Sequence, residues 1–161
     1  MSFIANQPVK TSTDPASNIV ENDGWFPDID LETMRDNMRL DGTVTTPRLI
    51  DATVAAIIYA NRELSDWKKL QITAGYASLA EVPADKVNRE SMLVSHYIRA
   101  VYCTAKADLI ERYKDYDTTS TTLNEKKTTN YLDSAPDEQR RNAQWAIADI
   151  LGVTHMTVEL I

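Results

Sequence analysis

One segment, residues 88–114, constrains the fold more than any other part of the chain. Its apolar residues recur at steps of three and four and therefore align on one helical face. They are Val94, Ile98, Val101, Ala105, Leu109 and Tyr113, and the stripe is widened by Leu93, Tyr97, Tyr102 and Ile110. A helix that is apolar over so much of its circumference must be covered from more than one side. We therefore predict that this segment is the central helix of an all-α core, with Asn88 as its N-cap.

Three further helices are predicted around the central one. Residues 31–40 follow Asp30, a good N-cap, and turn their apolar residues inward: Leu31, Met34 and Met38. Residues 47–74 begin at a Thr-Pro pair and meet no helix breaker before Gly75. Residues 134–151 open with a Ser-Ala-Pro-Asp start signal and stop at Gly152. The predicted fold is an all-α bundle of about four helices, with two long antiparallel helices.

The 161 residues are enough for one domain with its own core. Residues 1–24 are rich in Ser, Thr, Asn, Asp and Pro, which predicts an irregular N-terminal arm. A helical domain at 25–152 follows, and then an extended tail at 153–161. In that tail Met156, Val158 and Leu160 alternate with polar residues, a strand pattern without a predicted partner strand. The tail either lies along its own helices or pairs with another subunit.

Three connecting regions carry further predictions. Trp25 and Phe26 interrupt the polar arm, and such a pair either packs on its own domain or anchors a partner. Residues 76–87 form a connection whose apolar side chains pack beneath the long helices: Leu79, Val82 and Pro83. Residues 115–130 are predicted to be a loop, or one weak helical turn, and contain Asp115 and Asp117 as candidate partner-binding residues.

The charge of the chain is unevenly distributed. The net charge is −7, and residues 1–41 hold eight acidic residues against three basic ones. The other 120 residues hold 16 acids and 14 bases. No basic stripe is visible, which argues against sequence-independent binding to phosphates. The acidic segment at 1–41, which includes Asp28 and Asp30, suits a basic protein surface as a partner, although a solvated arm has the same composition.

The residue patterns of a catalytic or metal site are missing. His96 and His155 belong to no ligand-spaced cluster, and Cys103 is interpreted as a small core residue. Residues 28–39 begin like a calcium loop but carry Thr33 and Arg39 where such a loop needs Gly and Glu. The four glycines are isolated, so they form no phosphate-binding loop. The apolar run at 54–60 is too short to cross a membrane. We therefore predict no cofactor, no metal and no enzymatic activity.

Several short segments, in order, resemble one known family. They are 26–30 (FPDID), 38–40 (MRL), 47–49 (PRL), 74–76 (AGY), 79–85 (LAEVPAD), 90–91 (ES), 99–101 (RAV), 111–113 (ERY), Asp117, Arg141, 145–146 (WA), Ala148, Ile150 and Gly152. As an ordered set they resemble the head completion proteins of temperate contractile-tailed bacteriophages of the peduovirus type. The resemblance spans residues 26–152 and is weakest in the first 25 residues, the 118–130 loop and the tail.

The resemblance implies a structural role in the virion. Such a protein is made in the host cytoplasm and binds the portal protein at the capsid vertex after DNA packaging. It forms a ring with copies of itself, twelve in similar helical adaptors, retains the DNA and offers a docking surface to tail-completion and tail-terminator proteins. DNA would pass through the ring without sequence-specific binding. Two other hypotheses remain: a small helical DNA-packaging or DNA-binding subunit, and more distantly a metal-dependent hydrolase.

Overall fold

The computed structural model describes residues 18–40, 42, 44–117 and 126–155, and for 113–117 and 126–134 it describes the backbone alone. The structure is mostly helical, as predicted. Its centre is helix α4, Met92–Asp117, which packs against both α2, Thr46–Glu63, and α5, Lys126–Leu151. Helices α4 and α5 run antiparallel, because His96 lies beside Asp149 near one end and Glu111 beside Arg140 near the other.

The central position of α4 follows from its apolar circumference. Tyr97, Ala100, Val101 and Ala105 are completely buried, and the neighbouring Leu93 and Ile98 are partly buried against the same core. Helix α5 contributes Ala143, Ala146, Ile147 and Ile150 to the buried residues. The prediction of a central helix covered from more than one side is confirmed.

Residues 18–24 are the part of the predicted irregular arm that the structure describes, and they contain a short strand; residues 1–17 lie outside the described residues. Ile19–Val20 form strand β1, which pairs antiparallel with β2, Ile29–Asp30. Val20 and Ile29 face each other and turn toward the core, whereas Ile19 is half exposed opposite Asp30. A small sheet was not predicted, because two residues are too few to display a strand period.

Helix α1, Leu31–Met38, has the predicted N-cap and inner face. The Asp30 carboxylate accepts hydrogen bonds from the backbone N–H groups of Glu32 and Thr33. The helix ends at Met38 and not at Leu40, because Arg39 adopts the left-handed conformation with φ 51°. An αL residue reverses the chain at a helix end, so Arg39 ends α1 two residues before the predicted boundary.

The predicted helix at 47–74 is interrupted. Helix α2 ends at Glu63, and α3, Ser65–Thr73, follows after Leu64, whose ψ of 2° departs from helical geometry. The Leu64 side chain is fully buried, whereas α3 buries no residue of its own. The change of direction therefore brings one leucine into the core. Gly75, with φ 103°, ends α3 as predicted.

The connection from α3 to α4 contains a hairpin that was not predicted. Leu79 and Val82 are buried as expected, but Pro83 is exposed. Strands β3, Lys86–Val87, and β4, Glu90–Ser91, pair antiparallel around Asn88 and Arg89, both with positive φ. Two consecutive left-handed residues form the tight turn typical of two-residue hairpins. The N-cap prediction for Asn88 is therefore wrong.

The predicted loop at 115–130 is helical at both ends, and its residues 118–125 lie outside the described residues. Helix α4 continues through Asp117, and α5 begins at Lys126 and passes through Pro136. The interpretation of Pro136 as part of a helix start is wrong, because α5 begins ten residues earlier and takes up the proline in its interior, where one backbone hydrogen bond is lost. The structure thus has five helices within its described residues, and its long antiparallel pair is α4 and α5.

Candidate interaction surfaces

The aromatic pair Trp25 and Phe26 is part of the core. The side chains are 7% and 3% exposed, and Phe26 stacks on Tyr97 with ring centroids 4.5 Å apart. Trp25 meets Trp67 edge-on and donates its indole N–H to the carbonyl of Tyr76 at 3.1 Å. Of the two interpretations left open by the sequence, packing on its own domain is the one that this burial favours. A partner would find little of either ring exposed on this chain.

Asp23 fixes the backbone of this aromatic pair. Its Oδ1 accepts hydrogen bonds from the N–H groups of Trp25 and Phe26, both at 3.0 Å, and its Oδ2 pairs with Lys68. Partial burial acts to raise the pKa of Asp23, but these hydrogen bonds outweigh it and hold that pKa below the ordinary value of 3.8. The Lys68 ammonium also lies within 5.5 Å of both ring centroids. A polar clamp therefore holds the aromatic pair against α3.

The outer face of the β1–β2 sheet is acidic. Asp28 and Asp30 are exposed there, together with Glu21 and the half-exposed Ile19. Both aspartates also have internal roles. Asp28 accepts the N–H of Asn22 at 2.8 Å, and Asp30 caps α1. Hydrogen bonds from the Thr33 hydroxyl and the Glu32 N–H hold the pKa of Asp30 below its ordinary value. This face therefore presents two carboxylates, Asp28 and Asp30, that each accept a hydrogen bond from a backbone N–H.

The remaining predicted partner residues lie apart from this face or outside the described structure. Asp115 and Asp117 belong to the last turn of α4, where the backbone alone is described. Residues 153–155 follow α5 without regular structure. The alternating residues Met156, Val158 and Leu160 lie outside the described residues. The structure therefore brings together Asp28 and Asp30 from the predicted set, beside the buried aromatic pair.

Sequence reasoning missed a polar cluster at the end of α5. Both histidines of the chain meet Asp149: His155 Nε2 lies 2.8 Å from one carboxylate oxygen and His96 Nδ1 3.6 Å from the other. The His155 ring stacks on Trp145 with centroids 5.2 Å apart, and the Arg141 guanidinium lies 5.2 Å from the Trp145 ring. Arg141, Trp145 and Asp149 recur at steps of four, so this part of the cluster was visible in the sequence.

A second missed feature is a closed ring of hydrogen bonds. Asn22 Nδ2 donates to the Tyr97 hydroxyl, which donates to Asn61 Oδ1, and Asn61 Nδ2 donates back to Asn22 Oδ1. The three distances are 2.8, 2.6 and 2.9 Å. Asn61 is the polar interruption in the apolar period of α2, and its side chain joins the N-terminal segment to two helices.

The described residues offer no metal centre, since no three His, Cys, Asp or Glu side chains among them are grouped to hold an ion. Within the same residues, no helix combines the length and the apolar character needed to span a membrane. The polar side chains at the features above serve hydrogen bonds that hold the chain together. The described residues thus define the class of the protein as a mostly helical domain with an acidic face and with polar side chains engaged in internal hydrogen bonds.

Comparison with known proteins identifies the family within that class. Residues 20–161 match the family model described as phage head completion protein (GPL), so the chain belongs to that family. A head completion/stabilization protein of Escherichia phage P2 is 38% identical over 143 residues, covering 89% of this chain and 83% of the relative. No solved structure matches. The chain is therefore a structural phage protein and not an enzyme.

Proposed function

We propose that this protein completes the DNA-filled head by binding the portal protein at the capsid vertex. Copies of the chain would form a ring there, retain the packaged DNA and present a docking surface to tail-completion and tail-terminator proteins. The observation that carries this proposal is the family match over residues 20–161. The phage P2 relative is a head completion/stabilization protein, which supports the proposal.

The acidic β1–β2 face is the first candidate contact with a basic partner surface. It is held rigidly, because Asp28 and Asp30 are fixed by backbone hydrogen bonds and the sheet is anchored by the core residue Ile29. A preorganised surface loses less entropy on binding than a mobile one. Because this face loses little entropy on binding, a partner-binding surface explains the acidic N-terminal residues better than a solvated arm does.

The tail at 153–161 is the candidate contact with a neighbouring copy. The C-terminal end of α4, with Asp115 and Asp117, is a further candidate. A subunit in a ring uses two different faces, because head-to-tail contacts close a ring. The division into an arm, a helical domain and a tail is part of the same proposal.

The overall acidity bears on how DNA would pass through such a ring. With a net charge of −7, an acidic channel would repel the duplex and allow it to slide. The same charge argues against the alternative of a DNA-binding subunit. Once the channel face is known, Glu→Lys substitutions on it are expected to slow DNA ejection, and ejection kinetics that stay unchanged would remove this part of the proposal.

The decisive experiment mixes the purified protein with DNA-filled, tailless heads and images the portal vertex by electron microscopy. We expect added ring density at the portal and heads that no longer leak DNA. Portal-bearing heads without added density would contradict the proposal. A Glu21→Lys variant tests the acidic face, since this residue is exposed on that face and is not the α1 cap. Glu138→Lys, at an exposed position of α5, changes the charge by the same amount and is the matched control.

A further inference from the structure

Helix α2 has an outer side that faces away from the core. Its inner stripe is buried, and includes Leu49, Ala52, Ala56, Ile57 and Ala60. The opposite stripe carries exposed residues at steps of four, three and four: Asp51, Ala55, Ile58 and Arg62. Ile58 is 62% exposed and Val54, beside it, is 40% exposed. These steps place the four residues on one narrow helical seam.

The seam has an apolar middle and opposite charges at its two ends. Asp51 and Arg62 are separated by eleven positions, or roughly 16 Å along the helix axis. The Arg62 side chain is 70% exposed, and its guanidinium lies 3.5 Å from the carboxylate of Glu63, which is 41% exposed, and 5.6 Å from the centroid of the Tyr59 ring. Most of the Arg62 side chain is therefore open to a further partner.

A seam of this kind is complementary to itself when one copy is reversed. In an antiparallel pair that places Asp51 opposite Arg62, Ile58 falls opposite Ala55. The two-fold axis repeats each of these contacts, so the pair gains two ion pairs and two Ile–Ala contacts. The small Ala55 side chain also lets the helices approach closely enough for Ile58 to pack into the space above it.

We propose that this seam is a docking surface for a second copy of the chain, which binds it antiparallel through its own α2. The order of the charges favours a second copy as the partner. When one copy runs antiparallel to the other, Asp51 of each copy lies opposite Arg62 of the other. A two-fold contact closes with two molecules and does not build a ring. The inference therefore goes beyond the proposed head role and describes the free protein in solution.

The contact is expected to be weak and concentration-dependent. One helix on one helix buries less than the roughly 1,200 Å² that marks the lower end of stable protein interfaces. The dimer should thus form at high protein concentration and dissociate on dilution. Ordinary assembly on heads, at low concentration, would not require it.

The test is sedimentation velocity of the full chain over a concentration series, with circular dichroism to verify folding. The wild-type protein should pass from monomer to dimer. Asp51→Arg and Arg62→Asp should each weaken the dimer by about tenfold or more, because each sets like charges opposite one another. The double variant Asp51→Arg/Arg62→Asp restores both pairs in reversed polarity and should regain wild-type association.

Two apolar substitutions complete the design. Ile58→Lys should abolish the dimer, whereas Leu70→Lys, which changes a 67% exposed leucine of α3 outside the seam, should leave it unchanged. A protein that stays monomeric at the highest concentration would overturn the proposal. A dimer indifferent to Ile58→Lys, or one that the double variant fails to restore, would also overturn it, since either result places the contact elsewhere.

Discussion

The hydroxyl of Tyr97 in the central helix donates a hydrogen bond to Asn61 Oδ1 of helix α2 at 2.6 Å. Asn22 closes the ring by bonding to both side chains. Each of these buried or half-buried polar groups has a partner, and the ring ties the N-terminal segment to the helical core. Asn22 and its neighbour Asp23 can lie against the core because their polar groups are hydrogen-bonded.

Removing the Tyr97 hydroxyl should destabilise the fold. Tyr97→Phe keeps the ring stacked on Phe26 but leaves Asn61 Oδ1 and Asn22 Nδ2 each without one partner. We expect a loss of about 1–3 kcal/mol in the free energy of unfolding, measured by urea denaturation. Tyr59→Phe, at a half-buried position on the same α2 helix, is the control and should change stability little. Equal effects of the two substitutions would show that the hydrogen-bond ring adds nothing to the free energy of unfolding beyond the loss of a tyrosine hydroxyl.

Alkaline pH should unfold the protein partly through the same tyrosine. Burial raises the pKa of Tyr97 above its ordinary value of 10.0, against the opposing hydrogen bond from Asn22. The unfolded chain therefore loses this proton first, and stability falls as pH rises above about 10. Tyr97→Phe should make the decline in stability with pH shallower. A slope identical to that of the wild type would mean that Tyr97 ionises equally easily in the folded state.

At low pH the clamp at Asp23 should weaken. Its pKa is lowered in the folded chain, so its contribution is present above the unfolded value of 3.8 and is lost as pH falls through the folded pKa. Lys68→Met should reduce stability at neutral pH by up to about 1 kcal/mol and make it less dependent on pH below 4. Lys69→Met removes a more exposed pair with Asp66 and should have almost no effect. Thermal melts at pH 7 and pH 3 make the comparison.

The β3–β4 turn offers a stabilising substitution. Arg89 has a φ of 67°, in the left-handed region. This conformation is sterically unfavourable for residues with a Cβ atom, whereas glycine adopts it without steric cost. Arg89→Gly should therefore raise the free energy of unfolding by about 0.5–1 kcal/mol, because Asn-Gly is the preferred pair for such a turn. Arg89→Ala removes the same side chain but keeps the strain, so it should not stabilise. A gain shared by both variants would point to loss of the arginine charge and not to the backbone.

The parts of the fold that could be predicted from sequence are those fixed by local or periodic signals. The apolar circumference of 88–114 indicated the central helix. Asp30 indicated the N-cap of α1, and Gly75 indicated the end of α3. Asn88 shows where local signals fail, since asparagine favours both an N-cap and a left-handed turn. The pairing of Lys86–Val87 with Glu90–Ser91 places Asn88 in the left-handed turn and not at an N-cap. Strands of two residues are too short to show an alternating apolar pattern in the sequence.

The interaction surfaces were harder to predict because they depend on contacts distant in the chain. The sequence left open whether Trp25 and Phe26 pack on their own domain or anchor a partner, and their contacts with Trp67 and Tyr97 are distant in the chain. His96 and His155 are far apart in sequence, and only the antiparallel packing of α4 and α5 places both beside Asp149. The charge of Asp28 and Asp30 and the capping role of Asp30 were evident, but the hydrogen bond from the Asn22 N–H to Asp28 was not.

Two truncations should separate the structural role of the chain's end from its role in assembly. Removing 156–161 leaves His155 on Trp145 and Asp149, so the free energy of unfolding should not change. Removing 153–161 also deletes that contact and should cost about 1 kcal/mol. Both proteins should keep their helical circular dichroism, because α5 ends at Leu151 and its buried residues precede the cut.

On DNA-filled heads, both truncated proteins are expected to fail to join, since the proposed contact with a neighbouring copy lies in the tail at 153–161 and both cuts remove its alternating apolar residues. Electron microscopy of the portal vertex measures this directly, with the full-length chain as reference. Joining by the shorter truncation would remove residues 156–161 from the assembly proposal while leaving the His155 contact intact. Loss of the melting transition in either variant would instead make the tail part of the core, in which case the assembly result would report folding and not docking.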